Sequence, residues 1–109
     1  MTSFQNPQDA QGPQFAREDE MAMRILARRN RLLGHWAAQR MGLSPEETDA
    51  YARSVVHAEF EGFDDDDIVR RLVGDLVRAG VDVIDTEVRA AMRDKEAEAR
   101  RSLMGPALG

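Results

Sequence analysis

Residues 25–47, ILARRNRLLGHWAAQRMGLSPEE, decide the fold of this chain. Apolar residues recur in the first part of the stretch at spacings of three and four, which is the period of an amphipathic α-helix. Gly42 then provides the left-handed residue with which helices commonly end. Ser44, Pro45 and Glu47 follow in the order of a capping box with proline at the first helical position. The stretch therefore predicts the end of one helix and the beginning of the next.

The same signals, followed outward, predict four helices at about residues 15–41, 45–61, 64–79 and 85–103. The third begins at the carboxylate run 64–67, which favours a helix N-terminus because it complements the helix dipole, and it ends before Gly80. Asp82 or Asp85 is expected to cap the fourth helix. The sequence shows no useful β-alternation. Four helices with short connections predict an all-α fold, a four-helix bundle over residues 15–109.

Residues 1–14 differ from the rest in composition. Between residues 2 and 14, Phe4 is the only large apolar side chain, and Pro7, Gly12 and Pro13 interrupt any helical pattern. Such a segment buries too little apolar surface to offset the entropy lost on ordering. We therefore predict a flexible N-terminal segment over residues 1–14.

Length and composition exclude several classes of protein. A chain of 109 residues supports one modest core. It contains no cysteine, which excludes disulfides and thiolate metal sites and fits a reducing cytoplasm. It begins without a signal peptide and has no apolar run of the roughly 20 residues that a membrane span requires. Neither export nor membrane insertion is expected.

The formal net charge of -5 is distributed unevenly. Residues 16–43 contain six arginines and three acidic residues, whereas residues 44–109 contain nine basic and sixteen acidic residues. Arg28, Arg29 and Arg31 cannot all lie on one face of a helix, so they either pair with the acidic half of the chain or contact carboxylates or phosphates of a partner. An acidic chain disfavours nucleic-acid binding, which remains an alternative for the arginine cluster only.

No group of residues predicts catalysis, a metal or a cofactor. The carboxylates 64–67 lack the alternating spacing of a calcium loop, and His35 and His57 are far apart without partners for a triad. The glycines are scattered singly, so no phosphate-binding loop is present. Trp36 is expected in the core, although weak adenine-nucleotide binding by basic residues near it remains a second alternative. We do not expect an enzyme.

Residues 27–38, ARRNRLLGHWAA, resemble the A-R-R-N-K-L-L-G-x-W-A-A signature of the zeta subunit, the inhibitor protein of the alphaproteobacterial F-type ATP synthase. The resemblance is strongest over residues 15–60 and weak after Gly80. Flanking positions that also agree are Met1-Thr2-x-Phe4, Phe15-Ala16, Asp19-Glu20, Met41-Gly42, Tyr51-Ala52 and Val55-Val56.

The resemblance implies a regulatory protein whose N-terminal segment becomes helical on entering a catalytic interface of the ATPase head and blocks rotation in the hydrolysis direction. The implied partner is the catalytic head, formed by alpha, beta and gamma subunits, and the implied location is the cytoplasm, peripheral to the inner membrane. The partner-binding residues that it implies are Phe4, Phe15, Asp19, Glu20, Arg28, Arg29 and Asn30.

The N-terminal segment departs from the helix-prone arm of strongly inhibitory family members. In a helix interior, glycine costs about 1 kcal/mol and proline about 3 kcal/mol relative to alanine. Pro7, Gly12 and Pro13 therefore predict weaker inhibition than a helix-prone arm would give, or a shorter inhibitory helix that begins near Gln14.

Overall fold

The computed structural model describes the backbone of residues 7–105 and the side chains of residues 17–105. The described backbone forms four α-helices and no strand: α1 (Pro7–Met41), α2 (Pro45–Phe60), α3 (Asp65–Arg78) and α4 (Asp85–Met104). This confirms the predicted all-α, four-helix fold. Within the described range, no helix has the length and apolar character needed to cross a membrane.

Helix α1 begins at Pro7, earlier than the predicted residue 15. Proline suits the first turn of a helix because its φ angle is already helical and the N–H that it lacks would have no partner there. Extending an existing helix also requires no new nucleation, so single unfavourable residues such as Gly12 can be included. The predicted flexibility of residues 1–14 stays a prediction, and residues 1–6 lie outside the part that the structure describes.

The starts of α2 and α3 are fixed by reciprocal hydrogen bonds. At α2, the Glu47 N–H donates to Ser44 Oγ at 3.1 Å, and the Ser44 N–H donates to Glu47 Oε1 at 2.8 Å. Asp64 and Asp67 form the same capping box at the start of α3. These caps explain why the predicted helix starts lie within one residue of the observed ones.

The start of α4 differs from the expected cap. Neither Asp82 nor Asp85 is the N-cap residue; Ile84 occupies that position, and its N–H donates to Glu87 Oε1 at 3.1 Å. Val83 is only 6% exposed. Burying Val83 in the core fixes the register of the short α3–α4 connection and places Asp85 inside the first turn of α4.

The core lies where α1 packs along α2 and α4, with α3 closing the bundle. Its fully buried aliphatic side chains come from all four helices: Leu33, Val55, Ile68, Val69, Leu72, Leu76 and Val88. The backbones of α1 and α2 approach closely at Gly34, where a Cβ atom would lie 2.7 Å from Ala52 Cα. Glycine is therefore required at this crossing, in the middle of α1 rather than at a helix end.

Helix α1 extends beyond the edge of the bundle on its N-terminal side. Ile25 is 5% exposed and is the first residue of the described side chains to be buried. Residues 17–24 are exposed apart from Met21, which is half-buried. We refer to residues 17–24 as the exit segment, because α1 leaves the bundle there.

Candidate partner-binding site

The exit segment carries two of the partner-binding residues that the sequence resemblance implies. Asp19 and Glu20 are both exposed. Glu20 lies 3.4 Å from Arg24 in an exposed i,i+4 ion pair, which stabilises a helix only slightly. Both carboxylates are therefore available to a partner at little cost to the fold.

Two other implied residues precede the exit segment. Phe4 lies outside the described residues. Phe15 belongs to the helical backbone of α1, but its side chain lies outside the described side chains. Their predicted contacts with a partner stay predictions.

Arg29 lies inside the bundle at a point where all four helices meet. Its side chain is 1% exposed. Its guanidinium donates to both carboxylate oxygens of Asp65 on α3, at 2.8 and 3.3 Å, and to Glu96 Oε1 on α4 at 3.2 Å. Glu59 Oε1 on α2 lies 4.0 Å from Arg29 Nη2. Arg29 therefore joins α1 to each of the other helices.

Asn30 completes this buried polar network. It is 0% exposed, accepts a hydrogen bond from Arg29 Nε at 3.1 Å and donates to Glu59 Oε1 at 2.6 Å. Every buried side-chain nitrogen and oxygen in the described part of the chain has a hydrogen-bond partner. The structure thus gives Arg29 and Asn30 partners within the chain rather than on its surface.

The surroundings of Arg29 favour its charged form. Burial alone would lower the pKa of Arg29, but the hydrogen bonds and charges of Asp65, Glu96 and Glu59 outweigh it and raise that pKa above its ordinary value. Removing the partners of a buried charge costs free energy, because the charge is then left uncompensated in a low-dielectric interior. Arg29 therefore acts as a fixed cationic link between the helices.

Arg28 and Arg31 differ from Arg29, since both are exposed. Arg31 lies 3.6 Å from Asp49, which it shares with Arg53. Arg28 donates to Ser102 Oγ at 2.7 Å and forms no ion pair within the described residues. The sequence left two alternatives for these arginines, pairing with the acidic half of the chain or contact with a partner. Arg29 is fully paired within the chain, and Arg31 has one exposed ion pair there.

Apolar cavities flank α1 next to the exit segment. The larger, about 410 Å³, lies between α1 and α4 and is lined mainly by Met21, Ala22, Ile25, Leu26 and Met104. A smaller one of about 160 Å³ lies against α2, where Phe60 is 67% exposed. Exposed aromatic and methionine side chains beside concave apolar surface are typical of an interaction site.

Trp36 is half-buried and packs against the core, as expected from the sequence. The Arg40 guanidinium lies 4.6 Å from its ring centroid, at the edge of a cleft of about 390 Å³. Lys95 lines that cleft, but so do the carboxylates of Glu87 and Asp94, which oppose the phosphates of a nucleotide. Weak nucleotide binding beside Trp36 stays a prediction.

The remaining titratable contacts tie helices together. The Tyr51 hydroxyl donates to Asp75 Oδ2 at 2.6 Å between α2 and α3. Burial, and then Asp75, raise the pKa of Tyr51, so the phenol stays protonated. Among the described residues, no three His, Cys, Asp or Glu side chains are placed to hold a metal ion.

Sequence reasoning did not identify the partners of Arg29. Asp65 was interpreted as part of a capping run, and in the structure Asp64 supplies the cap while Asp65 binds Arg29. Glu59 and Glu96 carried no signal in the sequence that linked them to α1. The sequence did contain one indication of a buried polar pair. Asn30 interrupts the apolar stripe of α1 between Leu26 and Leu33, and Arg29 is next to it.

Comparison with known proteins relates the chain to a family. A family model described as ATPase inhibitor subunit zeta matches residues 1–102. A protein whose structure was solved by solution NMR is 39% identical in sequence and superposes with a TM-score of 0.67, covering 77% of this chain and 95% of its own. No curated protein matches the chain.

Proposed function

The chain belongs to the ATPase inhibitor subunit zeta family, and from this premise we propose that the N-terminal part of α1 enters a catalytic interface of the F-type ATP synthase head and stops ATP hydrolysis there. Members of an inhibitor-subunit family are regulatory rather than enzymatic, and the family membership supports an interaction with ATP synthase. The entry of α1, the contact with alpha, beta and gamma subunits and a cytoplasmic location are the further steps that we propose.

The observation that carries the proposal is the exposure of the exit segment. This part of α1 is largely exposed and presents Asp19 and Glu20, with Phe15 one turn before them in the chain. Its backbone is already helical from Pro7 onward, which is the conformation that a helix inserted in an interface requires.

Arg29 and Asn30 take a different part in this proposal from the one first expected. Their side chains are enclosed by Glu59, Asp65 and Glu96, so we propose that they hold the base of the exit segment rigid against the bundle. Arg28, which faces solvent beside them, keeps its proposed contact with the partner.

The direct test uses purified cognate ATPase head, with ATP hydrolysis and binding measured together. We expect the full chain to bind and inhibit, and a chain lacking residues 1–19 to remain folded without inhibiting. An Arg70→Ala variant is the control, because Arg70 is exposed on α3. A full chain that neither binds the head nor lowers its activity would overturn the proposal.

A second experiment addresses the prolines. Replacing Pro7 and Pro13 by alanine removes about 3 kcal/mol of helix cost at an interior position and less at the first turn. We expect the double variant to inhibit ATP hydrolysis at lower concentration than the unmodified chain. Unchanged potency would show that helix cost in this segment does not limit inhibition.

A further inference from the structure

A second surface adjoins the C-terminal end of the exit segment and shares Arg24 with it. It is a groove of about 460 Å³ lined by three arginines and three apolar side chains: Arg24, Ala27, Arg28 and Arg31 of α1, Val56 of α2 and Leu103 of α4. We call it the arginine groove. It is separate from the buried network of Arg29.

The helical period explains why three arginines line one groove. Residues 24, 28 and 31 are spaced by four and three, so their side chains lie on one stripe of α1. At a rise of 1.5 Å per residue, the stripe extends about 10 Å along the helix axis. Arg29, which is offset by one residue from this stripe, faces the bundle interior instead.

The arginine groove retains positive charge although the chain as a whole is acidic. Arg24 and Arg31 have one carboxylate each within 4 Å, in pairs that are about half exposed on both sides, and Asp49 divides its charge between Arg31 and Arg53. Arg28 is hydrogen-bonded to the neutral hydroxyl of Ser102. Exposed pairs of this kind contribute only about 0–1 kcal/mol, so carboxylates of a partner can replace them.

We propose that the arginine groove binds an acidic amphipathic segment of the ATPase head, with carboxylates on Arg24, Arg28 and Arg31 and an apolar side chain against Val56 and Leu103. The proposal rests on the proposed function, since the same partner holds the exit segment, which the groove adjoins at Arg24. Guanidinium groups suit carboxylates because they donate two parallel hydrogen bonds.

The lining of the groove favours a protein segment over a nucleic acid. Its apolar half offers a surface for an aliphatic side chain, and none of its lining residues is aromatic, as stacking of bases would require. A net charge of -5 also repels an extended polyanion, whereas a short acidic segment meets only the local positive charge.

The test compares two triple variants of the full chain for binding to the purified ATPase head. In the first, Arg24, Arg28 and Arg31 become glutamine; in the control, Arg70, Arg78 and Arg93 become glutamine, which makes the same change in net charge at exposed positions elsewhere. We expect the groove variant to bind about 10-fold or more weakly and with a smaller dependence on salt, and the control to stay within about 2-fold. Equal affinities for the groove variant and the unmodified chain would overturn the inference while leaving the proposed function standing.

A measurement without the head keeps the two proposals distinguishable. Amide shifts of the unmodified chain are followed during titration with a helical Glu/Leu peptide, a Lys/Leu peptide of the same length, or single-stranded DNA. We expect salt-sensitive shifts around the arginine groove with the Glu/Leu peptide and none with the Lys/Leu peptide. Absence of shifts at the groove, or stronger shifts there with DNA than with the Glu/Leu peptide, would overturn the inference.

Discussion

Residues 17–24 and residues 25–41 belong to one continuous helix but have opposite surroundings. The first range is exposed to solvent almost throughout, whereas the second contributes Leu33 and Ala37, both 0% exposed, to the core. The contribution of α1 to the hydrophobic stabilisation of the fold therefore comes mainly from the second range, since that contribution is proportional to the apolar surface that is removed from water. Under the proposed function, the exposed side chains of the exit segment are available for contacts with a partner.

Within the second range, two adjacent arginines also have different surroundings. Arg28 is exposed, whereas Arg29 is enclosed by three carboxylates from three helices. Successive residues of a helix point about 100° apart, so one side chain can face a partner while its neighbour faces the interior. Residue type alone therefore does not separate Arg28, which is proposed to bind a partner, from Arg29, which links the helices.

The largest effect is expected at Arg29. Arg29→Met removes the only cation that contacts Glu59, Asp65 and Glu96 together within the described residues, and we expect it to lower the free energy of unfolding by about 3–5 kcal/mol. Urea denaturation measures the loss. Arg28→Met is the control, for which we expect a change below about 0.5 kcal/mol. Equal effects at the two positions would show that the network does not stabilise the bundle.

Substitutions at Leu33 and Met23 compare the buried and the exposed part of α1 with apolar side chains. Leu33 is 0% exposed in the core, and Leu33→Ala should cost about 2–5 kcal/mol through lost burial and the cavity that remains. Met23 is 53% exposed in the exit segment, so Met23→Ala should cost less than about 1 kcal/mol. A large loss of stability in Met23→Ala would show that the exit segment packs on the bundle in solution.

Gly34 and Gly74 are expected to respond to alanine in opposite directions. Alanine gains about 1 kcal/mol of helix propensity over glycine at either position. At Gly34 the new Cβ atom would lie 2.7 Å from Ala52 Cα, and overpacking should give a net loss of about 1–3 kcal/mol. At Gly74 it meets only the flexible end of Arg78 at 3.3 Å, so a gain of up to about 1 kcal/mol is expected in thermal or urea unfolding. Stabilisation by both substitutions would mean that α1 and α2 separate easily at Gly34.

The smallest effect on stability is expected at Glu20. Glu20 and Arg24 are both more than half exposed, so Glu20→Ala should change the free energy of unfolding by less than about 0.5 kcal/mol. Under the proposed function, the same substitution weakens inhibition of the ATPase head measurably. Thr86→Ala, at an exposed position on α4, serves as the control in the hydrolysis assay. Full inhibition by Glu20→Ala would remove this carboxylate from the proposed contact.

The fold could be predicted from the sequence wherever the determining interactions are local. Ser44 and Glu47, or Asp64 and Asp67, are three residues apart and form caps that depend on nothing else in the chain. The start of α1 was predicted less well. The prediction counted the cost of Gly12 in a helix but not the long helix that follows, from which the first turns can be extended without new nucleation. Helix propensity is a weak guide where a favourable neighbour extends the helix.

The candidate site could be predicted only in part, for a related reason. Exposure of Asp19 and Glu20 follows from a polar stretch before the apolar stripe of α1, and the sequence shows that stretch directly. The burial of Arg29 depends on Asp65 and Glu96, which are 36 and 67 residues away. Which carboxylate meets which guanidinium is decided by the packing of the helices, and a single sequence does not specify it.

The unbroken passage of α1 across the edge of the bundle sets a geometric limit on insertion. From Pro7 to Ile25 the helix axis measures about 27 Å, and from Ile25 onward α1 is one helix of a four-helix body, packed along α2 and α4. A cleft that admits a single helix cannot admit that body. Under the proposed function, the bundle therefore limits the depth to which α1 enters the head, and because the helix is stiff, turning the inserted end also turns the bundle.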